Sequence, residues 1–399
     1  MKKLKLLIAS ISLFTSAHIF AYNINIPRRI VEVGLDVSGG MNNNYFAAKD
    51  MLKKDLVLDF TQMSETLPKQ GLDINFNTTE NFFIDLNLLN GMRFKLSQGL
   101  ESDGMITIGK DLFDFLSKGN SPNQNLNFDG NLTASLFMFV DLTYAMNISE
   151  WRFEVSPAVY FPIMHAKSKQ LSAEFRNSQD GTIGFDVITD AQIFSMINFD
   201  NSSSGLQGAA GFDLTASLER KVFNTLQAQA FLRCPIVPGN ITYSKGMKST
   251  ISYQDTKFLD LVTGNANTEI AQNTEFYDIT GQKYYLNRPL HSGVRVAWRP
   301  FGKWCTFRGM LGFGVREPFT ESAKAYFEYE LEADVLLIGI FGFSASSIYK
   351  NQIFTNSLGL QFNFRVVELD IAVGVQGSDF FKSFAGTGAV AQVALKFGF

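Results

Sequence analysis

Apolar and polar residues alternate with a period of two along most of this chain, and that alternation predicts its elements. Successive side chains of a strand point to opposite faces, so clean alternation marks a ribbon with one greasy and one wettable side. Val31, Val33, Leu35 and Val37 alternate with Glu32, Gly34, Asp36 and Ser38, which gives a first strand over 29–40. Leu72, Ile74 and Phe76 alternate briefly before a second strand at 81–89, and Asn90-Gly91 has the composition of a two-residue hairpin turn into a third at 92–108. A fourth strand carries Leu132, Leu136, Met138, Val140, Leu142 and Tyr144 on one face, and a fifth returns with Trp151, Phe153, Val155, Val159, Phe161 and Ile163. Further strands are expected at 206–218, 226–232, 294–298, 307–315, 327–337, 343–349, 358–366, 369–375 and 391–399.

The period changes twice. Leu52, Leu56, Phe60, Met63 and Leu67 recur every three or four residues and predict an amphipathic helix over 45–67, placed over a mouth, in a lumen or on a membrane surface. Lys110–Lys118 predicts a short helix stopped by Gly119. Three stretches read as polar connections: 120–130, 166–204 (with a hairpin-like alternation of Ile183, Phe185 and Val187) and 238–283.

About 14 strands result, an even number, and the connections sort by length. Every link from an even strand to the next odd one is short: Asn90-Gly91, 147–150, 221–224, 299–303, the turn near Gly339, and Val367-Glu368. All long links fall at the other end. Trp151, Trp298 and Trp304 sit beside the short turns, as one aromatic girdle would. The expected fold is therefore all-β: a closed antiparallel transmembrane barrel whose apolar parity meets lipid and whose polar parity encloses a lumen. A soluble secreted β protein shares the alternation but not the sorted connections.

Composition fits this reading. Mean hydropathy is only +0.02 because each lipid-facing residue is followed by a polar one. Phe, at 39 of 399 residues, is abundant enough for aromatic belts. Residues 1–21 read as a secretory signal, with Lys2, Lys3 and Lys5 before the apolar run Leu6–Phe14 and Ala17 or Ala21 as the last residue removed. That leaves 22–399 as a single barrel domain, and no cysteine stands near the cleavage region to carry a lipoprotein anchor.

The chemistry carried by the chain excludes several classes. A net charge of -3 without a basic block offers no footprint for nucleic acid. Cys234 and Cys305 fall on the apolar parity of strands that are not neighbours, too far apart to bridge. No metal-ligand spacing is present and no cofactor motif. The mature chain's histidines are His165 and His291; His291 and Ser292 are strand neighbours on opposite faces, so they form no catalytic dyad, and nothing points to an enzyme.

The lumen parity carries the candidate site. Glu328, Glu330, Glu332 and Asp334 line one strand face, beside Arg308 and Arg316 on the preceding strand and Arg295 on the one before. Opposed rows of this kind set up a transverse field that selects solutes; the bland reading is that they pair and hold the wall. Phe137, Phe139, Tyr160 and Phe231 fall on the same lumen side, an apolar patch that either takes a greasy substrate or is packed by the 45–67 helix as a plug.

Three resemblances bear on this. The terminal strand, alternating through Ala391, Val393, Leu395 and Phe397 to end on Phe399, resembles the closing strand of bacterial outer-membrane barrels, which implies recognition by the barrel-assembly machinery. The segment Lys110–Asn120, K-D-L-F-D-F-L-S-K-G-N, resembles a block in a family of uncharacterised predicted outer-membrane barrels. The strand count is similar to that of the long-chain fatty-acid uptake porins, although their helical hatch precedes the first strand and here the helix follows it. The expected function is passive or facilitated uptake of small solutes, hydrophobic ones included, with outer-membrane lipid as the other partner. The alternative is a non-transporting surface barrel whose loops at 166–204 and 238–283 bind a host or partner molecule.

Overall fold

A computed structural model describes residues 29–46, 59–88, 91–118, 126–177, 182–200, 205–257, 270–279, 283–320, 323–350, 353–364, 366–377, 380–384 and 386–399. The signal segment, the first part of the predicted helix (47–58), Asn90 and Gly119 lie outside them.

Fourteen antiparallel strands close the wall. In chain order the strands are β1 (Val31–Asn43), β2 (Leu72–Asn87), β3 (Arg93–Ile108), β4 (Leu126–Ile148), β5 (Trp151–Asn177), β6 (Thr182–Ser195), β7 (Gly208–Ala209), β8 (Gly211–Phe223), β9 (Leu226–Val237) and β10 (Gly239–Ile241). There follow β11 (Tyr243–Lys257), β12 (Ile270–Asp278), β13 (Tyr284–Leu286), β14 (Leu290–Trp298), β15 (Cys305–Arg316), β16 (Lys324–Leu337), β17 (Phe341–Lys350), β18 (Ile353–Phe364), β19 (Val367–Gly377) and β20 (Gly388–Gly398). The wall runs β1 to β5, then β8, β9 and β14 to β20, and closes where Val33 faces Phe397 and Leu35 faces Leu395. Closure leaves no free ribbon edge, the condition for a sheet in hydrocarbon.

The predicted apolar parity forms the outer surface. Leu311 is 62% exposed, Leu358 69% and Val373 61%, and they belong to a band that includes Val294, Phe313, Leu331 and Phe343. Alternate positions point inward and are buried: Ser97 and Thr143, Glu328, Glu332 and Gln392. An apolar belt of this extent around a polar interior is the organisation of a transmembrane barrel of the outer-membrane type. Trp151, Trp298 and Trp304 all stand exposed at the short-turn end, which this class places in the periplasm. Cys234 on β9 and Cys305 on β15 are both free, with β14 between their strands.

The far end departs from the sequence reading. β4 begins at Leu126, so 126–130 is strand and not polar loop. Much of the two long polar stretches is strand too, among the described residues. β5 runs on to Asn177, β6 pairs with it (Met164↔Ser195 to Asn177↔Ile183), β11 pairs with β6 and β12 with β11. The resulting sheet projects beyond the closed wall and is covered in part: Phe175 packs on Phe115 at 4.4 Å, and Asp190, Ala191 and Phe194 are buried. The alternation of Ile183, Phe185 and Val187 suggested a hairpin within 166–204, and β5 and β6 form one; the Ser- and Thr-rich β11 carries no such pattern. The strand expected from Leu206 starts instead at Gly211; Leu206 makes only an isolated bridge to Ile197.

Of the predicted 45–67 helix, the described part is helical only at Phe60–Thr66 (α1), with Asp59 Oδ1 accepting from the Gln62 N–H at 2.9 Å as its cap. Tyr45 and Phe46 are not helical; both backbone N–H groups donate to Asn43 Oδ1. α1 packs on α2 (Lys110–Lys118), burying Met63, Leu67 and Phe113 against Leu72 at the start of β2, with Ile108 at the end of β3 packed alongside. Ser64 Oγ donates to Asp114 at 2.5 Å. This pair sits on the rim above β2 and β3.

Candidate lumenal site

The wall forks above Tyr160. β5 pairs with β8 as far as Tyr160↔Gly211; from Met164 onward it pairs with β6. The chain just beyond the tops of β8, β9 and β14 bends away and forms a second small sheet in the order β13-β10-β7. Two glycines make the bend possible. A Cβ on Gly211 would lie 2.2 Å from Tyr160 Cζ, and one on Gly239 2.7 Å from Pro162 Cδ. Tyr160, fully buried, pins the sheet: its hydroxyl donates to Val237 O at 3.0 Å and accepts from the Gly239 N–H at 3.2 Å.

The residues from Tyr284 to Pro289 form a strap folded into the lumen. Leu286, 3% exposed, packs against Phe137, Phe139 and Tyr160. The predicted apolar patch thus exists at three of its four positions, and its cover is the strap. The described part of the 45–67 helix lies on the rim instead. Phe231, also buried, stands apart: the Arg295 guanidinium lies 3.9 Å above its ring, and His291 meets it edge-on at 5.1 Å.

Behind Leu286, Tyr284 stacks on His165 (4.8 Å) and Phe194 (4.3 Å). His165 is held at both ring nitrogens, by Ser135 Oγ at 3.0 Å and by the Tyr284 hydroxyl at 3.1 Å. Burial, with Lys167 adding repulsion, pushes its pKa down to about 4, so it is neutral at pH 7. Ahead of Leu286, Arg288 donates to Asp213 on β8 at 2.9 Å and to Glu101 on β3 at 3.0 Å, with its guanidinium 4.4 Å over Phe139. Arg233 on β9 reaches the strap carbonyl of Pro289 at 3.2 Å. The strap is therefore tied to β3, β4, β5, β8 and β9, and it narrows the outer half of the lumen.

Other predicted lumen residues fall as follows. Arg308 pairs with Glu332 at 3.0 Å and with Asp334 on the adjacent strand. Glu328 lies 2.7 Å from His291 and 3.8 Å from Lys350, and Glu330 sits between these groups on the same face. Arg316 turns the other way, to within 3.9 Å of Asp103 on β3. Toward the periplasmic end, Arg93 bridges Asp85 (2.7 Å) and Glu154 (3.3 Å), and Lys396 bridges Glu368 (2.6 Å) and Asp370 (2.9 Å). Phe399 closes the chain with its N–H donating to Val31 O at 3.2 Å and its ring exposed. Sequence reasoning missed Glu101, Asp213, Tyr284 and Arg288. Glu101 and Asp213 were available from strand parity alone. Among the described residues no cluster of three or more metal-ligating side chains occurs.

No family model matches the chain and no curated protein sequence does. Solved structures of similar shape include the toluene transporter TodX of Pseudomonas putida, at 11% identity and a TM-score of 0.49, over 94% of this chain and 91% of that one. The toluene transporter TbuX of Ralstonia pickettii has 9% identity and a TM-score of 0.46, over 92% and 89%. A FadL homologue of Pseudomonas aeruginosa has 10% identity and a TM-score of 0.47, over 94% and 91%.

Proposed function

We propose that this barrel mediates facilitated uptake of small solutes across the outer membrane, and that the strap at 284–289 is its gate. The observation that carries the reading is Leu286. A single aliphatic side chain from a short inward segment fills an aromatic recess of the lumen wall, where the apolar part of a solute would sit once the strap lifts. Polar ties hold the strap closed: Arg288 to Asp213 and Glu101, and the Tyr160 hydroxyl to the Leu286 carbonyl at 3.3 Å. Residues 1–21 would be removed on export, 22–399 would assemble as one domain, and Phe399 would be read by the assembly machinery.

Liposome swelling and planar-bilayer conductance of the refolded protein test this. The wild type should show low, fluctuating flux, and a chain with 284–289 replaced by a Gly-Ser linker should show several-fold more. No flux from either form would overturn the proposal. The alternative, a surface-binding barrel, draws on the projecting β5-β6-β11-β12 sheet. On that reading, trimming β6, β11 and β12 abolishes partner binding and leaves permeability unchanged.

A further inference from the structure

Beside the strap, and lined in part by its Pro289, the lumen wall holds a cavity of about 60 Å³ whose lining includes Asp103, Arg233, Arg316, Tyr326, Ile348 and Lys350. Three cations from three strands converge on it, and each meets a carboxylate only at long range. Arg233 Nη1 is 3.9 Å from Glu101, Arg316 Nη2 is 3.9 Å from Asp103, and Lys350 Nζ is 3.8 Å from Glu328. Charge-assisted hydrogen bonds are about 2.7–2.9 Å long, so these are ion pairs without hydrogen bonds. Two of the three carboxylates are engaged elsewhere: Glu101 accepts from Arg288 at 3.0 Å, and Glu328 lies 2.7 Å from His291. Among the described residues Arg316 and Lys350 donate no side-chain hydrogen bond to the protein. Their donors are unspent and face the cavity, with side chains 36% and 33% exposed.

We propose that this cavity binds a compact organic carboxylate. The Arg316 fork and the Lys350 ammonium would take its two oxygens, which are the acceptors missing from the wall. Ile348 and Ile353, both nearly fully buried, and the Tyr326 ring supply a wall for a short alkyl body. The volume suits a ligand of roughly two to four carbons. A cationic ligand is disfavoured, because three cationic side chains line the cavity and Glu101 and Glu328 beside it are already held by Arg288 and His291. The assignment rests on the uptake reading for its purpose, but its test reads binding and not flux, so either can fail alone.

The test uses the refolded full chain in detergent micelles and the fluorine NMR line width of difluoroacetate. Saturable broadening should be reversed by propionate and not by methylammonium. The double variant Arg316→Met, Lys350→Met should weaken binding roughly tenfold or more. Asp103→Asn, which removes the carboxylate 3.9 Å from Arg316, should tighten it a few-fold and guards against misfolding of the double variant. Heat-modifiable gel migration verifies that each variant is folded. Absence of saturable broadening, indifference to both variants, or stronger displacement by inorganic phosphate than by propionate would overturn the assignment.

Discussion

Arg288 and Asp213 form a buried ion pair at 2.9 Å, one partner on the inward strap and the other on the barrel wall, with side chains only 6% and 1% exposed. Removing one member of such a pair strands the other charge, at a cost of about 3–5 kcal/mol. Arg288→Met should therefore release the strap and destabilise the outer half of the barrel. The expected outcome is a several-fold rise in single-channel conductance and new protease cleavage around 283–289. Adding Asp213→Asn removes the more deeply buried of the two stranded carboxylates, while Glu101 keeps Arg233 at 3.9 Å, so the double variant should recover much of the stability in guanidinium unfolding yet keep the raised conductance. A strap that stays protected in Arg288→Met would show that the pair does not hold it.

His165 lies above the fork and should make strap closure sensitive to acid. Its folded pKa, pushed down by burial to about 4, lies below the ordinary 6.5. A lowered histidine pKa means that the open or unfolded form binds the proton more tightly. The closed form is thus fully favoured above pH 6.5 and loses ground as pH falls from 6.5 toward 4, by up to about 3 kcal/mol. Conductance should rise over that window and fall again on returning to pH 7. His165→Gln, which keeps hydrogen-bonding capacity without titrating there, should flatten the profile. A pH response that persists in His165→Gln would assign it to another group.

Much of the barrel was legible because bilayer and lumen impose opposite demands on adjacent residues, as at Leu331 and Glu330 or Val393 and Gln392. The lengths of the connections then fixed which end is which. Of the projecting sheet, β6 left a sign in the alternation of Ile183, Phe185 and Val187, whereas Ser249, Thr250 and Ser252 of β11 present no greasy face and read as loop. Phe137, Phe139 and Tyr160 were correctly placed inside, but the residue that covers them sits in Tyr-Tyr-Leu-Asn-Arg-Pro, a run with no period. Its inward turn depends on space left by Gly211 and Gly239 more than 40 residues away, and on partners on other strands. Local pattern carries no such information.

That dependence on missing side chains is itself testable. Tyr160 is fully buried, and a Cβ on Gly211 would also come within 2.6 Å of the Gly239 backbone nitrogen, so neither neighbour has room to yield. Gly211→Ala should push the β7-β10-β13 sheet out of its seat while leaving the fourteen-stranded wall paired below Tyr160. Folded protein should still show a heat-dependent gel shift, with conductance raised as in the strap-replaced chain. Gly302→Ala, in an open turn where an added Cβ meets nothing within 4 Å, should cost only the strain of its left-handed φ of +75° and leave conductance unchanged. Equal behaviour of the two variants would refute the close-approach argument.

The assignment of faces can be checked at two adjacent residues on one strand. Leu311 on β15 is 62% exposed on the outer belt, while Met310 points inward opposite Glu330. Leu311→Lys places an ammonium in hydrocarbon and should cost about 2–4 kcal/mol, depending on depth. Met310→Lys places the same group beside a carboxylate in the lumen and should cost no more than about 1 kcal/mol. Unfolding in guanidinium from lipid vesicles measures both. The contrast depends on the bilayer, so it should shrink in a detergent whose micelle lets the Leu311→Lys side chain reach water. Equal losses at the two positions would mean that the outer belt does not face acyl chains.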